Sequence, residues 1–74
     1  MIRVITADVS AVARSIEKQI FALNKEFDLL TSVGDSKTLL EKCKTLHPDL
    51  VIASLDIPEI KNTIKTLSLE EKLA

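Results

Sequence analysis

Apolar positions along this chain alternate between short continuous runs and a helical spacing, and each alternation predicts a boundary between a strand and a helix. The run Ile2–Ala7 is apolar and β-branched, which is long enough for a buried strand and too short for a helix. Residues 9–24 repeat apolar side chains every three or four positions, as an amphipathic helix does. Its apolar side consists of Val9, Val12, Ala13, Ile16, Ile20 and Leu23. Its polar residues are expected to face water: Arg14, Glu17, Lys18 and Lys25.

A second strand and a second helix are predicted between residues 27 and 47. The strand is Phe27–Val33, and Gly34 ends it. Asp35 or Ser36 is placed to cap the helix, as Asp8 is for the first helix, because a carboxylate or hydroxyl oxygen accepts N–H groups of a first turn. The inner face of the second helix is expected to consist of Leu39, Leu40, Cys43 and Leu46.

The third strand and helix follow Pro48, which prevents the second helix from continuing. Residues 50–55 are continuously apolar up to Ser54, as expected of a strand covered on both faces. Pro58 opens a third helical stretch with Ile60, Ile64 and Leu67 on one face. Ser68 with Glu71 matches a capping box, so residues 69–73 form either a separate short helix or a continuation.

The resulting order is βαβαβα, which predicts one α/β domain over residues 1–74. Strands that alternate with helices form a parallel sheet with right-handed crossovers. A chain of 74 residues is small, and such domains are marginal without a disulfide, a metal or a partner. The single cysteine excludes an internal disulfide, and one histidine with one cysteine does not make a metal-ligand set.

Charge and hydropathy exclude further classes. The net charge is −1, with 10 basic and 11 acidic residues, which is too balanced for an electrostatic nucleic-acid binder. Apolar runs stay well short of the roughly 20 residues that span a bilayer, and the amino terminus does not have the pattern of a signal peptide. The sequence therefore predicts a cytoplasmic protein without a cofactor, a nucleic-acid partner or a membrane partner.

Several short motifs together resemble the receiver domain of bacterial response regulators, close to the chemotaxis type. The opening strand ends in Asp8, where the family has the first of two acidic residues, and Val9 occupies the second position. Three further matches are the loop Gly34-Asp35-Ser36, the strand entry Leu46-His47-Pro48-Asp49-Leu50-Val51, and Pro58 four residues beyond the phosphoacceptor position. The resemblance covers roughly residues 1–67 and implies the flavodoxin-like strand order 2-1-3-4-5, of which this chain holds the first three strands in the order 2-1-3.

The departures from the family predict that receiver chemistry is lost. Ser54 occupies the position of the reactive aspartate, and a hydroxyl without a nearby base gives a stable ester instead of an acyl phosphate. The remnant acidic pocket holds Asp8, Val9 and Asp56, which is too few carboxylates for Mg²⁺. The hydroxyl residue and the lysine that the family carries on strands four and five have no counterpart here. The protein is therefore not expected to be an enzyme.

The third strand is expected to lie at the edge of the sheet and to attract a partner. Its unpaired N–H and C=O groups are a template for another strand, and no Lys or Pro within it discourages pairing. The predicted interface consists of Leu50, Val51, Ile52, Ala53, Ser54 and Leu55. Pairing of two copies gives a homodimer with strand order 2-1-3-3′-1′-2′, and packing of uncovered helix faces is the alternative geometry.

Three functions are compatible with these features. The first is a receiver-like module that binds itself or a signalling partner without phosphorylation. The second is the amino-terminal half, natural or engineered, of a longer response regulator. The third is an enzyme or ligand binder that uses Asp8, Ser54 and Asp56 at the carboxyl ends of the strands, without a Gly-rich phosphate loop.

Overall fold

Three parallel strands and three helices alternate along the chain in the predicted order. The computed structural model describes residues 1–71, with the surroundings of side chains given as far as residue 67. The elements are β1 (Ile2–Ala7), α1 (Ala11–Ala22), β2 (Phe27–Val33), α2 (Ser36–Leu46), β3 (Leu50–Ala53) and α3 (Ile60–Glu71). No helix within residues 1–71 is both long enough and apolar enough to cross a membrane.

The sheet has the order β2-β1-β3, which confirms the predicted arrangement 2-1-3. Strand β1 lies in the centre and pairs in parallel with both neighbours, opposite Phe27–Val33 on one side and opposite Leu50–Ala53 on the other. The register shifts between Val4 and Ile5, so that Leu30 is an extra residue in β2. Strand β3 is therefore an edge strand, as the sequence predicts.

The main core lies on the face of the sheet that α2 and α3 cover. Ile5 and Ala7 of β1 are buried there, in one cluster with Leu39 and Cys43 of α2. The same cluster contains Val33, Ile57, Ile60 and Leu67, with Leu40 and Leu46 packed beside it. The predicted inner face of α2 is confirmed, and the cysteine is a core thiol.

The opposite face of the sheet is covered only in part. The crossover through α1 runs from β1 to β2 and the crossover through α2 runs back to β3, so right-handed connections place these helices on opposite faces. Val4 and Thr6 alternate with the core residues of β1 and therefore point to the α1 side. Helix α1 packs mainly over β2 and β1, which leaves this face of β3 without a covering helix among the described residues.

Strand β3 corrects one prediction. Leu50 and Ile52 are 40% and 42% exposed, so the strand is not covered on both faces. The two residues pair with Val4 and Thr6 and share their face, on the side of the sheet where α1 does not reach β3. The strand is also shorter than predicted and ends at Ala53.

Helix α1 corrects a second prediction, because most of its apolar side is exposed and two of its polar residues are not, whereas Lys18 and Lys25 are exposed as expected. Arg14 and Glu17 are half-buried, together with Ala13 and Phe21. The apolar residues are half to nine-tenths exposed: Val9, Val12, Ile16, Ile20 and Leu23. We call these five residues the α1 stripe. Periodicity identifies an apolar side of a helix, but it does not say that the sheet is what covers that side.

One helix cap and one position within α3 differ from the predictions, and the cap of α2 agrees with them. Ser10, not Asp8, caps α1, because its hydroxyl accepts the N–H of Ala13 at 3.1 Å. Asp35 caps α2 as expected, and it accepts the N–H of Thr38 at 2.7 Å. In α3, Ile64 is exposed and Thr63 takes the buried position instead.

The carboxyl-terminal helix is continuous. Helix α3 begins at Ile60, two residues after Pro58, and runs through position 68 to Glu71. The capping-box motif at Ser68 therefore does not start a separate helix within this range. Residues 72–73 of the predicted tail helix lie outside the described residues.

Candidate functional site

The carboxyl ends of β1 and β3 meet at one edge of the sheet, where the family resemblance places the phosphoacceptor pocket. The N–H of Ser54 donates to the carbonyl of Ala7 at 2.9 Å, which extends the β1–β3 pairing by one residue. The N–H of Asp8 donates to the carbonyl of Val33 at 2.9 Å on the other side. The fold therefore brings the backbones of Asp8 and Ser54 to the same edge.

The side chain of Ser54 stabilises the turn that ends β3. Its hydroxyl oxygen accepts the N–H of Asp56 at 3.2 Å, and its carbonyl accepts the N–H of Ile57 at 3.3 Å. This turn explains why the strand ends before the predicted Leu55. Asp56 lies in the turn and is exposed, so it does not continue the strand on the side of Ser54.

The one histidine of the chain lies at the opposite end of the sheet from Ser54. His47 is the left-handed terminal residue of α2, with φ 49°. Its carbonyl accepts a hydrogen bond from the guanidinium of Arg3 at 2.8 Å, near the start of β1. An imidazole is the usual base that activates a serine hydroxyl, and this one belongs to the amino-terminal end of the strands.

Asp8 has a structural partner within its own loop. Its carboxylate accepts the N–H of Ser10 at 2.9 Å, which holds the backbone just before α1. Val9, in the second acidic position of the family, is 52% exposed and belongs to the α1 stripe. The loop therefore presents one carboxylate and one apolar side chain where the family has two carboxylates.

A cation from α1 lies beside this loop. The guanidinium of Arg14 donates to the carbonyl of Asp8 at 2.6 Å and to the carbonyl of Val9 at 3.1 Å. A Cβ at Gly34 would lie 2.7 Å from the same guanidinium, so the absence of a side chain at Gly34 leaves room for it. Arg14 thus joins the loop after β1 to the first turn of α1 and lies close to Gly34, which follows β2.

Glu17 is the titratable group whose environment is least favourable for charge at this edge. Its Oε1 atom is buried without a hydrogen-bond partner among the described residues. Burial raises the pKa of Glu17 from its ordinary 4.5, the negative charge of Asp8 raises it further, and the charge of Arg14 opposes the shift. A helix whose apolar side faced the sheet would not place a carboxylate here.

A metal site is not supported at this edge. Within residues 1–71, no group of three or more His, Cys, Asp or Glu side chains is arranged to hold a metal ion. Mg²⁺ demands near-octahedral oxygen ligands and is usually held by carboxylates together with phosphate. The loop provides Asp8 alone from the family's acidic pair.

A concave groove lies elsewhere on the molecule, between α1 and the outer edge of β2. Its volume is about 830 Å³, and its lining includes Phe21, Phe27 and Lys18. The rings of Phe21 and Phe27 meet edge to face, with centroids 5.5 Å apart. Asp8, Ser54 and Asp56 are not among its lining residues, so the remnant acidic pocket and this groove are separate places.

The six residues of the predicted interface divide into three exposed and three half-buried residues, and Ser54 is the half-buried residue in the turn after β3. Val51 and Ala53 point into the main core and are half-buried. Leu50, Ile52 and Leu55 are exposed, and Leu55 is exposed by 73%. Leu50 and Ile52 add exposed apolar surface on the same side of the sheet as α1, since they share the face of Val4 and Thr6.

Arg14 and Glu17 are the residues of this edge that the sequence interpretation missed. The apolar repeat of α1 predicts that both face water, because they lie between its apolar positions. Gly34 is the residue whose presence could have indicated the position of Arg14. It is the only glycine of the chain, and it directly follows β2, the strand that pairs with β1. A glycine with negative φ at such a place indicates close approach by a neighbouring group.

The comparisons with known proteins do not identify a family for this chain. Neither the protein-family models nor the curated proteins contain a match to it.

Proposed function

We propose that this chain is a receiver-like interaction module that works by binding another protein surface, without phosphorylation. The observation that carries the proposal is the exposed apolar surface formed by the α1 stripe with Leu50 and Ile52. The family resemblance supports its receiver-like character, and a signalling pathway is the setting that this resemblance implies. The partner is a second copy of the chain or another signalling protein.

The chemistry at the edge of the sheet supports the absence of phosphorylation. A receiver aspartate attacks phosphorus as a carboxylate and needs Mg²⁺ held by neighbouring carboxylates. Here the corresponding position is Ser54, whose hydroxyl accepts a backbone hydrogen bond in a turn. Val9 stands where the resemblance implies a carboxylate, and Asp8 accepts the N–H of Ser10. This edge therefore has a hydroxyl in place of the carboxylate nucleophile and one carboxylate in place of the acidic pair.

The exposed apolar surface supports binding. Scattered apolar residues are normal on protein surfaces, but contiguous patches of several hundred Å² mark interaction sites. Val12 is 70% and Leu23 88% exposed, and the three other residues of the α1 stripe are at least half exposed. Burial of such side chains releases about 25 cal/mol per Å² before the costs of association are subtracted.

Incubation with acetyl phosphate and Mg²⁺, followed by intact-mass measurement, tests the absence of phosphorylation. We expect an unchanged mass. A phosphoryl adduct that hydrolyses readily would contradict the proposal, because it would reveal an acyl phosphate. The Asp56→Asn and Ser54→Ala variants, treated in the same way, would then locate the acceptor.

The alternative is that the chain is half of a longer response regulator. The exposure of Leu50 and Ile52 favours it, since a further strand and helix beside β3 would cover them. Co-expression with a chain that carries two further receiver strands tests it. A tight one-to-one complex in preference to a homodimer would support this alternative over self-association.

We propose a cytoplasmic location for the module. Cys43 is a buried thiol of the main core, and core thiols are common in proteins of reducing compartments. The proposal is tested by fractionation of cells that produce the chain from its own gene, with recovery in the cytosolic fraction as the expected result.

A further inference from the structure

We propose that α1 packs against α1 of a second copy, antiparallel, across a two-fold axis that passes beside Ile16. This inference rests on the proposed interaction function and names its partner and its geometry. It selects the helix face, in preference to the edge of β3, as the centre of the interface.

The spacing of the α1 stripe is symmetric about Ile16. Val12 and Ile20 lie four residues before and after it, within the helix. Val9 and Leu23 lie seven residues before and after it, just beyond the two helix ends. A two-fold axis perpendicular to an antiparallel helix pair places each residue of one copy opposite a residue of the second copy. The two residues lie equally far from Ile16 along the helix, in opposite directions. The axis therefore joins Val12 to Ile20 of the second copy, and Ile16 to its own equivalent.

The exposed surface of α1 is almost free of charge. The exposed residues of the helix are Ala11, Val12, Ser15, Ile16, Lys18, Gln19, Ile20 and Ala22, of which Lys18 alone is charged. The charged residues Arg14 and Glu17 are turned towards the sheet instead. Interface cores are depleted of charge, and an uncharged stripe is complementary to an equally uncharged stripe. A second copy provides one.

The α1 stripe is directed away from β2. The other flank of α1 is fixed by Phe21, whose ring packs on Phe27 of β2. At 3.6 residues per turn, Phe21 lies roughly 140° around the helix from Ile16. The α1 stripe is therefore directed away from Phe27 of β2, and Leu50 and Ile52 of β3 are exposed on the face of the sheet that α1 covers in part. A second α1 at this place would cover both sets.

The available area suits a dimer of ordinary size. A stable interface buries about 800 Å² on each partner. The five residues of the α1 stripe with Leu50 and Ile52 provide seven large apolar side chains that are 40% to 88% exposed. Their combined apolar surface amounts to several hundred Å², which accounts for most of the core of such an interface.

Disulfide trapping tests the antiparallel pairing. Packed helix axes lie about 8–10 Å apart, so facing residues on a two-fold axis bring their Cα atoms within disulfide reach. We expect Ile16→Cys to form a covalent dimer under mild oxidation. A mixture of Val12→Cys and Ile20→Cys chains should form the mixed dimer, whereas each alone should not, because equal positions lie roughly 12 Å apart along the axis. Native Cys43 is buried and common to all samples.

A charge substitution provides a second measurement with a matched control. Ile16→Glu places two carboxylates against each other on the axis, and we expect it to raise the dimer Kd by about 30-fold or more. Ser15→Glu adds the same charge at the neighbouring exposed position and should leave the Kd within about threefold. Circular dichroism of both variants verifies that the helices remain folded.

The outcomes separate the two proposals. Dimers in solution that form no Ile16→Cys disulfide and tolerate Ile16→Glu would overturn the helix pairing, while self-association through another surface would stand. A homodimer that is trapped by Ser15→Cys as readily as by Ile16→Cys would also overturn it. Exclusive binding to a different protein would overturn the helix pairing and leave the interaction module intact.

Discussion

At the scale of single residues, the polar side chains at the carboxyl edge of the sheet bond to the backbone of the nearby loops. Ser54, Asp8 and Arg14 are the polar groups that meet there. The oxygen of Ser54, the carboxylate of Asp8 and the guanidinium of Arg14 each bond to backbone groups. These bonds hold the loops that follow β1 and β3 in place.

Glu17→Gln is expected to stabilise the protein at neutral pH. The raised pKa means that the folded state binds a proton more tightly than the unfolded state does. The free energy of unfolding therefore falls as pH rises from about the ordinary 4.5 through the raised pKa, and it stays lower above that range. Because glutamine does not titrate, the free energy of unfolding of the Glu17→Gln protein should not show this fall.

Urea unfolding of both proteins between pH 4 and pH 7 measures the effect of Glu17→Gln. Glu41→Gln removes one carboxylate at an exposed position of α2 and is the control. A Glu17→Gln protein that is less stable than the native protein at pH 7 would show that the buried Oε1 atom has a partner after all.

Gly34 and Arg14 are expected to depend on each other. An alanine at Gly34 places a methyl group 2.7 Å from the guanidinium, which must then leave the carbonyl of Asp8. We expect Gly34→Ala to cost about 1 kcal/mol of unfolding free energy. In an Arg14→Ala background the same change should be neutral or slightly stabilising, because Gly34 does not have a positive φ.

A double-mutant cycle measured by chemical denaturation checks this dependence. A coupling energy near zero would contradict it, since the two single changes would then act independently. The cycle also reports whether the one glycine of the chain is explained by close approach of Arg14.

At the scale of elements, the sequence predicts the order, the direction and most of the bounds of the strands and helices. Strands β1 and β2 have the predicted limits, and Leu39 and Cys43 of α2 are buried as expected. Continuous β-branched runs and helical spacing determine these features locally.

The orientation of α1 could not be predicted in this way, because it depends on a neighbour. The apolar spacing of residues 9–23 indicates that one side of the helix is to be buried, and it does not name the surface that buries it. In the structure Ala13, Arg14, Glu17 and Phe21 are the half-buried side. The end of β3 has a different, local cause, since the hydroxyl of Ser54 accepts the N–H of Asp56 and forms a turn that the apolar run does not indicate.

The terminus of α1 provides a test at this scale. The hydroxyl of Ser10 accepts the N–H of Ala13, so Ser10→Ala removes the cap and should lower the free energy of unfolding by about 1 kcal/mol. Ser15→Ala, in the exposed middle of the same helix, should be neutral or slightly stabilising. Thermal unfolding followed by circular dichroism compares the two. Equal stability of the Ser10→Ala and native proteins would show that Ser10 is not the cap.

At the scale of the whole molecule, the two sides of β3 have different surroundings. Val51 packs against the main core and Ile52 is exposed on the opposite face. Val51→Lys should therefore cost about 2 kcal/mol or more of folding free energy. Ile52→Lys should change the folding of the dilute chain by less than about 0.5 kcal/mol and weaken self-association about tenfold.

Denaturation of the dilute chain and a dimer dissociation constant, measured on the same samples, separate these effects. If Ile52→Lys unfolds the dilute chain as severely as Val51→Lys does, the exposed face of β3 belongs to the core and not to an interface. Both substitutions introduce a lysine into the same strand. The difference between the two variants therefore reflects the face of the sheet that is changed, with little contribution from strand propensity.

Sedimentation velocity of the native chain across micromolar concentrations tests the central claim most directly. The exposed α1 stripe predicts a folded species with twice the mass of the chain, whose fraction grows with concentration. A folded protein that sediments as a single chain throughout this range would contradict self-association through this surface.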